Sequence, residues 1–259
     1  MDKSNSICHF CAKSRIDMTP RPSSSYSQRA RLGLIVPPTN SVNEAEWTRL
    51  MPEGVTFHSH RMKLHPAGDP ALMPDLLAGI ELLGQVRPDA IAYACTAGSM
   101  TTPSAQMPDA ASEASGLKVL TTSHALILAL RALGAERISV ATPYAKATND
   151  HEVEFLAAHG IETLAIAGLG IGAGGPHEYV RIAQTPLAEV KAHALETFAP
   201  GSNALLLACT DFPTLPLIEE LESELGVPVI SSNTATLWAM LRACGVADDL
   251  PGGGKLFAA

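Results

Sequence analysis

Two cysteines stand in near-identical settings: Cys95 closes AYACT and Cys209 closes LLACT, each ending a small apolar run and each followed by threonine. A thiolate is a nucleophile and a thiol is a proton donor. Two of them on one substrate can therefore add to a carbon and protonate its neighbour, or take a proton from one face and return it to the other. A single buried cysteine at a strand end is more often a small core residue. It is the repetition of the Cys-Thr context that points to chemistry. Asn40 in VPPTN and Tyr144 in ATPY end similar runs and are expected at the same rim. Asn40 suits either a carboxylate contact or the cap of the next helix. The Tyr144 phenol suits donation to a carboxylate or an enol oxygen. Thr96, Ala97 and Thr210 beside the thiols complete the expected substrate-binding set, the threonines through their hydroxyls. A helix starting beyond each cysteine is expected to favour the thiolate and to offer N–H groups to an anion.

Three other clusters carry less. In FHSHRMKLH (57–65), His58 and His60 share a strand face, but no third ligand lies at a zinc-site spacing. Arg61 there can reach a carboxylate, with a structural ion pair as the default. Cys8 and Cys11 form half a zinc knuckle with no second half, and GLGIGAGG (168–175) lacks both the P-loop Lys and the strand-to-helix setting of a nucleotide loop. It reads as a flexible loop over a cleft. Neither a metal nor a cofactor is expected.

The elements that must position these residues are legible as alternating patterns. LGLIV (32–36), AIAYA (90–94), KVLTT (118–122), ISVAT (138–142), ALLLA (204–208) and PVISS (228–232) suit buried strands, and stretches such as HALILALRALGA suit helices ending at glycine. Strand then helix, repeated, predicts an α/β fold with parallel sheets. RLGLIVPPTN matches RISVATPYAK, AYACT matches LLACT, and KVLTTSHALILALRALG matches PVISSNTATLWAMLRACG. Two similar halves, 31–136 and 137–250, follow, between a disordered extension (1–30) and a C-terminal tail (251–259). Equivalent strand ends then bring Cys95 and Cys209 to one cleft, since α/β sheets bind ligands beyond the carboxyl ends of their strands.

The bulk properties narrow the partners. The chain has 259 residues, a formal charge of −8, 46% hydrophobic and 17% charged residues. With no basic cluster, a nucleic-acid surface is not expected. No apolar window is long enough for a membrane span, and the N-terminus lacks the apolar core of a secretory signal. Five cysteines without a disulfide framework fit a reducing, cytoplasmic setting. Assembly with further copies of the chain is left open.

These residues resemble the aspartate/glutamate racemase superfamily over about Arg31 to Gly245, and within it the maleate cis-trans isomerase and arylmalonate decarboxylase branch. RLGLIVPPTN, FHSHRM, AYACT, RISVATPY, LLACTDFPTLP and GVPVISSNTATLWAMLRA look most like the maleate isomerase pattern. The resemblance implies two pseudosymmetric Rossmann-like (flavodoxin-like) half-domains with parallel sheets, the active site in the cleft between them, and no cofactor. It implies a small (di)carboxylate substrate, with Cys95 the nucleophile, Cys209 the acid/base partner, and Asn40 and Tyr144 holding carboxylates. A further substrate-binding Asn is implied in IGAGGPHEY, which has none. The decarboxylase branch keeps only the second cysteine, so Cys95 points away from decarboxylation. Maleate-to-fumarate isomerisation through a covalent cysteine adduct is the leading expectation. A racemase of aspartate, glutamate or hydantoin type is the closest alternative, followed by an arylmalonate-type decarboxylase and a non-catalytic carboxylate-binding protein.

Overall fold

The structure, a computed structural model, describes residues 24–65 and 68–259. It contains two four-stranded parallel sheets. The first is built from β1 (Ala30–Val36), β2 (Val55–Arg61), β3 (Ala90–Tyr93) and β4 (Val119–Thr121), in the order β2-β1-β3-β4. The second is built from β5 (Arg137–Tyr144), β6 (Glu162–Ile171), β7 (Ala204–Leu207) and β8 (Val229–Ser231), in the order β6-β5-β7-β8. Adding four to each strand number converts one order into the other. The repeat in sequence is therefore a repeat in topology.

The strands the sequence announced as apolar runs are those buried on both faces: β3 and β7 are buried at every residue, and β1 at all but Arg31. The edge strands β2 and β6 are half exposed, which mixes their composition. FHSHRM accordingly falls on edge strand β2, paired in parallel with β1. GLGIGAGG departs from its expected reading as a loop. Residues 168–171 are the end of β6, and only the residues after Ile171 turn. Gly168 is required there, because a Cβ would collide with the Tyr144 carbonyl oxygen of the neighbouring strand.

The helices are α1 (Asn43–Leu50), α2 (Leu72–Gly84), α3 (Thr96–Ser99), α4 (Gln106–Ser115), α5 (Thr122–Ala132), α6 (Lys146–Ala158), α7 (Leu187–Thr197), α8 (Ile218–Leu225) and α9 (Ser232–Ala243). α5 and α9 start directly from β4 and β8 with matching caps: Thr121 accepts from the His124 N–H, and Ser231 forms a capping box with Thr234. α4 and α8 stop at Gly116 and Gly226, both left-handed. Ten of the 12 residues of α9 are buried, because it packs on α5 and also against β3, β4 and β8. A helix from the second half thus covers the first sheet.

The described residues at both chain ends are held to the body of the fold. Residues 1–23, with Cys8 and Cys11, lie outside the described residues. Ala30 belongs to β1, and Arg29 pairs with Asp248 at 2.5 Å. The C-terminal tail is docked: Leu256 and Phe257 are buried, and the Arg242 guanidinium donates to the Phe257 carbonyl at 2.9 Å. No helix among the described residues is long and apolar enough to cross a membrane.

Candidate active site

One cavity of about 340 Å³ gathers every residue the sequence singled out for binding or catalysis: Asn40, Cys95, Thr96, Ala97, Tyr144, Cys209 and Thr210 all line it. They arrive from the carboxyl ends of the central strands β1, β3, β5 and β7, with Cys95 two residues beyond the end of β3 and Cys209 two beyond β7. The exits differ in backbone. Cys95 is extended and enters the single turn of α3. Cys209 has φ +109, one of two non-glycine residues with positive φ among those described. A β-carbon is strained in that region, so this cysteine is held where a glycine would rest more easily. Cys209→Gly is expected to melt higher than Cys209→Ala, by about 1 kcal/mol in thermal or denaturant unfolding. Equal stabilities would mean that no strain is stored at this position.

Each thiol has a phenol and a backbone N–H. Cys95 faces the Gly98 N–H and the hydroxyl of Tyr93, which has no other hydrogen-bond partner. Cys209 receives the Asp211 N–H at 3.4 Å and the hydroxyl of Tyr144. The expected thiolates are not the resting state. Burial pushes the Cys95 thiol up, against the pull of Gly98 and Tyr93. Burial likewise pushes Cys209 up to about 12, with Asp211 N–H and Tyr144 opposing. The physical reason is that α3 is one turn long and no helix begins at Cys209, so little dipole offsets the loss of water. Burial also raises the Tyr144 phenol well above its usual range.

The threonine hydroxyls are committed to the framework rather than offered to a ligand. Thr96 donates to Ser232 Oγ at 2.8 Å, and Thr210 donates to the Ala94 carbonyl at 3.0 Å. Both bonds run between the halves. So does Asn40 Nδ2 to Thr210 Oγ1, at 3.0 Å. Ser232 in turn accepts the Cys209 N–H at 3.0 Å. Asn40 also braces the entry to α1, its Oδ1 accepting from the Val42 and Asn43 N–H groups at 3.2 and 3.0 Å. One amide hydrogen of Asn40 remains uncommitted at the cavity. Arg61 takes the structural option: it pairs with Glu44 at 2.6 Å and donates to the Asn40 carbonyl, outside the cavity lining. His58 and His60 join no cluster of three potential metal ligands among the described residues.

Four contributors were missed in the sequence. Tyr93 lies two residues before Cys95, a strand spacing that shares a face and was available as a signal. His151 lines the cavity with Ala147 and Thr148, one helical face of α6, and its Nε2 finds no partner. Asp211 reaches across the site to the entry of α1, accepting the Ser41 and Val42 N–H groups. Burial lifts its carboxyl to about 6. Gly98 is the fourth, since a Cβ there would lie 2.7 Å from Tyr93 Oη and 2.9 Å from Cys95 Sγ. Gly98→Ala is expected to fold but to lose about 100-fold in kcat/KM, the scale of a 1 Å misplacement at a reacting centre. Undiminished kcat/KM, with unchanged iodoacetamide labelling of Cys95, would show that the phenol–thiol pair tolerates displacement.

Two sheets of one topology, each delivering a cysteine to a shared cleft, define the aspartate/glutamate racemase type of fold and site. The sequence model described as arylmalonate decarboxylase matches residues 32–257, and the chain belongs to that family. Among curated relatives it is 33% identical over 233 residues to arylmalonate decarboxylase of Bordetella bronchiseptica, covering 87% of this chain and 95% of that one. It is 29% identical over 242 residues to maleate isomerase of Nocardia farcinica, covering 87% and 94%. Among solved structures it is similar to a mutant of the Nocardia farcinica maleate cis-trans isomerase with a covalently bound succinylcysteine intermediate. There the TM-score is 0.74 and the identity 27%, over 88% of this chain and 98% of that chain. The enzyme class expected from the sequence, an isomerase, stands with these relatives.

Proposed function

We propose that the chain interconverts cis and trans forms of a small unsaturated dicarboxylate, of maleate-to-fumarate type, with Cys95 as nucleophile and Cys209 as acid and base. The observation that carries the reading is the presence of two thiols in one cavity, each with its own phenol and N–H donor. The succinylcysteine held by the Nocardia farcinica enzyme supports it. The reacting state has one thiolate, at Cys95, whose proton has left to solvent, and one thiol, at Cys209. Cys95 Sγ forms a bond to one alkene carbon, and the π pair moves to the neighbouring carbon and into its carboxylate. That carbon takes the Cys209 proton, which leaves a succinyl thioether and a Cys209 thiolate. Rotation about the former carbon–carbon double bond, now single, follows. Cys209 then removes the proton, the double bond re-forms, and the C–S pair returns to Cys95. Tyr144 and the free Asn40 amide hydrogen face the carboxylates, the groups on which charge develops.

The two thiols carry opposite requirements, so kcat/KM is expected to rise with pH above neutrality as Cys95 ionises, while Cys209, at about 12, stays protonated. A rate that falls across pH 7 to 9 would contradict this assignment. The primary test follows maleate by proton NMR in deuterated water. The appearance of fumarate supports the reading. Exchange of the α-hydrogen of aspartate or glutamate, with maleate untouched, overturns it in favour of a racemase.

A further inference from the structure

The cavity is built for more than a four-carbon diacid. Besides the strand-end residues, its lining comes from the segment after β2, from α6, from the end of β6, and from the 3-10 turn Pro176–Arg181 with its flank. The side chains from these segments are mainly apolar: Leu64, Ala145, Ala147, Ile171, Tyr179 and Ile182. Neither Arg nor Lys is among the described lining residues. Of the two lining histidines, His65, beside Leu64, is already held by Asp69 and Asp75 at 3.1 and 2.9 Å, and His151, on α6, has no partner at Nε2. At about 340 Å³ the cavity reaches the size, roughly 300 Å³ and above, at which pockets enclose drug-sized ligands. Leu64 is 40% exposed and Ile182 only 5%, so the apolar surface runs from the mouth inward. The 172–178 turn that carries it is pinned, because Glu178 accepts the N–H groups of Gly172 and Gly174 at 2.9 and 3.1 Å. Gly172 leaves room for the Tyr179 ring, which a Cβ would meet at 2.6 Å.

Resting on the cis–trans reading above, we infer that the substrate bears an alkyl or aryl branch on its unsaturated diacid skeleton, packed against Leu64, Ile171, Tyr179 and Ile182. The wall formed by Leu64, Ile171, Tyr179 and Ile182 carries no charged side chain, so it gives a charged group beyond the two carboxylates nothing to pair with, whereas it gives a hydrocarbon branch a place to leave water. Even one methylene in such a pocket changes kcat/KM by about 10-fold or more.

The test compares maleate, methylmaleate and benzylmaleate as substrates, and succinate and benzylsuccinate as unreactive ligands in calorimetry. The expected result is a kcat/KM for a branched maleate at least ~10-fold above that for maleate, with benzylsuccinate binding more tightly than succinate. Ile182→Asn and Tyr179→Asn are expected to narrow both ratios. Turnover of maleate with equal or poorer turnover of both branched forms overturns the branch and leaves the isomerase reading intact. Failure on all three maleates removes the isomerase reading. The calorimetric ratio then still decides the apolar site, and equal binding of the two succinates overturns it.

Discussion

Cys95→Ala is expected to eliminate turnover of the unsaturated diacid and to form no adduct, because Cys209, the other described thiol that lines the cavity, is held protonated by burial and serves as the acid. Cys209→Ser is expected to behave differently. It leaves the nucleophile in place but exchanges the proton donor for a far weaker acid, so kcat falls by about 10²- to 10⁴-fold, the usual contribution of a positioned acid–base group. Intact-protein mass spectrometry should then find Cys209→Ser carrying the mass of one diacid, mapped to Cys95, and Cys95→Ala carrying none. Both variants should retain the fold, since each side chain makes a small part of a large core. Full activity in either, or an adduct on Cys209, would reverse or remove the assigned roles. Thermal melting of each variant separates loss of chemistry from loss of structure.

The second large effect is on stability and comes from a residue the reaction does not require. Glu152, on the inner face of α6, is 1% exposed, and neither carboxylate oxygen has a hydrogen-bond partner among the described residues. Burial raises its carboxyl to about 8. The fold therefore keeps a proton that the unfolded chain releases above about 4.5. The folded state binds more protons between those values, so stability falls as pH rises from about 4.5 to 8 and is level beyond. At ~1.36 kcal/mol per pKa unit, this single group makes a difference on the order of 5 kcal/mol. Asp211, lifted to about 6, and the buried Glu46, raised by burial, act in the same direction. Glu152→Gln, neutral throughout, is expected to remove most of the decline in unfolding free energy between pH 5 and pH 8. Parallel pH profiles for the variant and the parent would show that Glu152 finds partners or water in the folded protein.

What the sequence disclosed follows from how each part is stabilised. β1, β3, β5 and β7 are buried on both faces and so read as apolar runs, and the duplicated Cys-Thr context joined their ends into one site. β6 was hidden because Gly168 and Gly170 interrupt it, and Gly168 is set by a neighbouring carbonyl rather than by strand propensity. The framework bonds of the threonine hydroxyls were hidden for a related reason. Their acceptors, Ser232 and Ala94, lie 136 and 116 residues away in the chain, and no local pattern reports a bond of that span. Glu152 was equally silent, since a carboxylate on a helix looks solvated until its surroundings are known.

The hydrogen bonds that tie the halves together at Thr96, Thr210, Asn40 and Ser232 have a consequence for how such a protein changes over time. They fasten both thiol exits to one frame. The cavity's more apolar lining comes instead from β6, the 176–181 turn with its flank and the segment after β2, none of which takes part in those bonds. The reactive centre is hard-wired and its surroundings are interchangeable. Mutation can thus retune what the cavity admits through a few peripheral side chains without re-engineering the chemistry, a division of labour that allows one scaffold to serve acids of different shape.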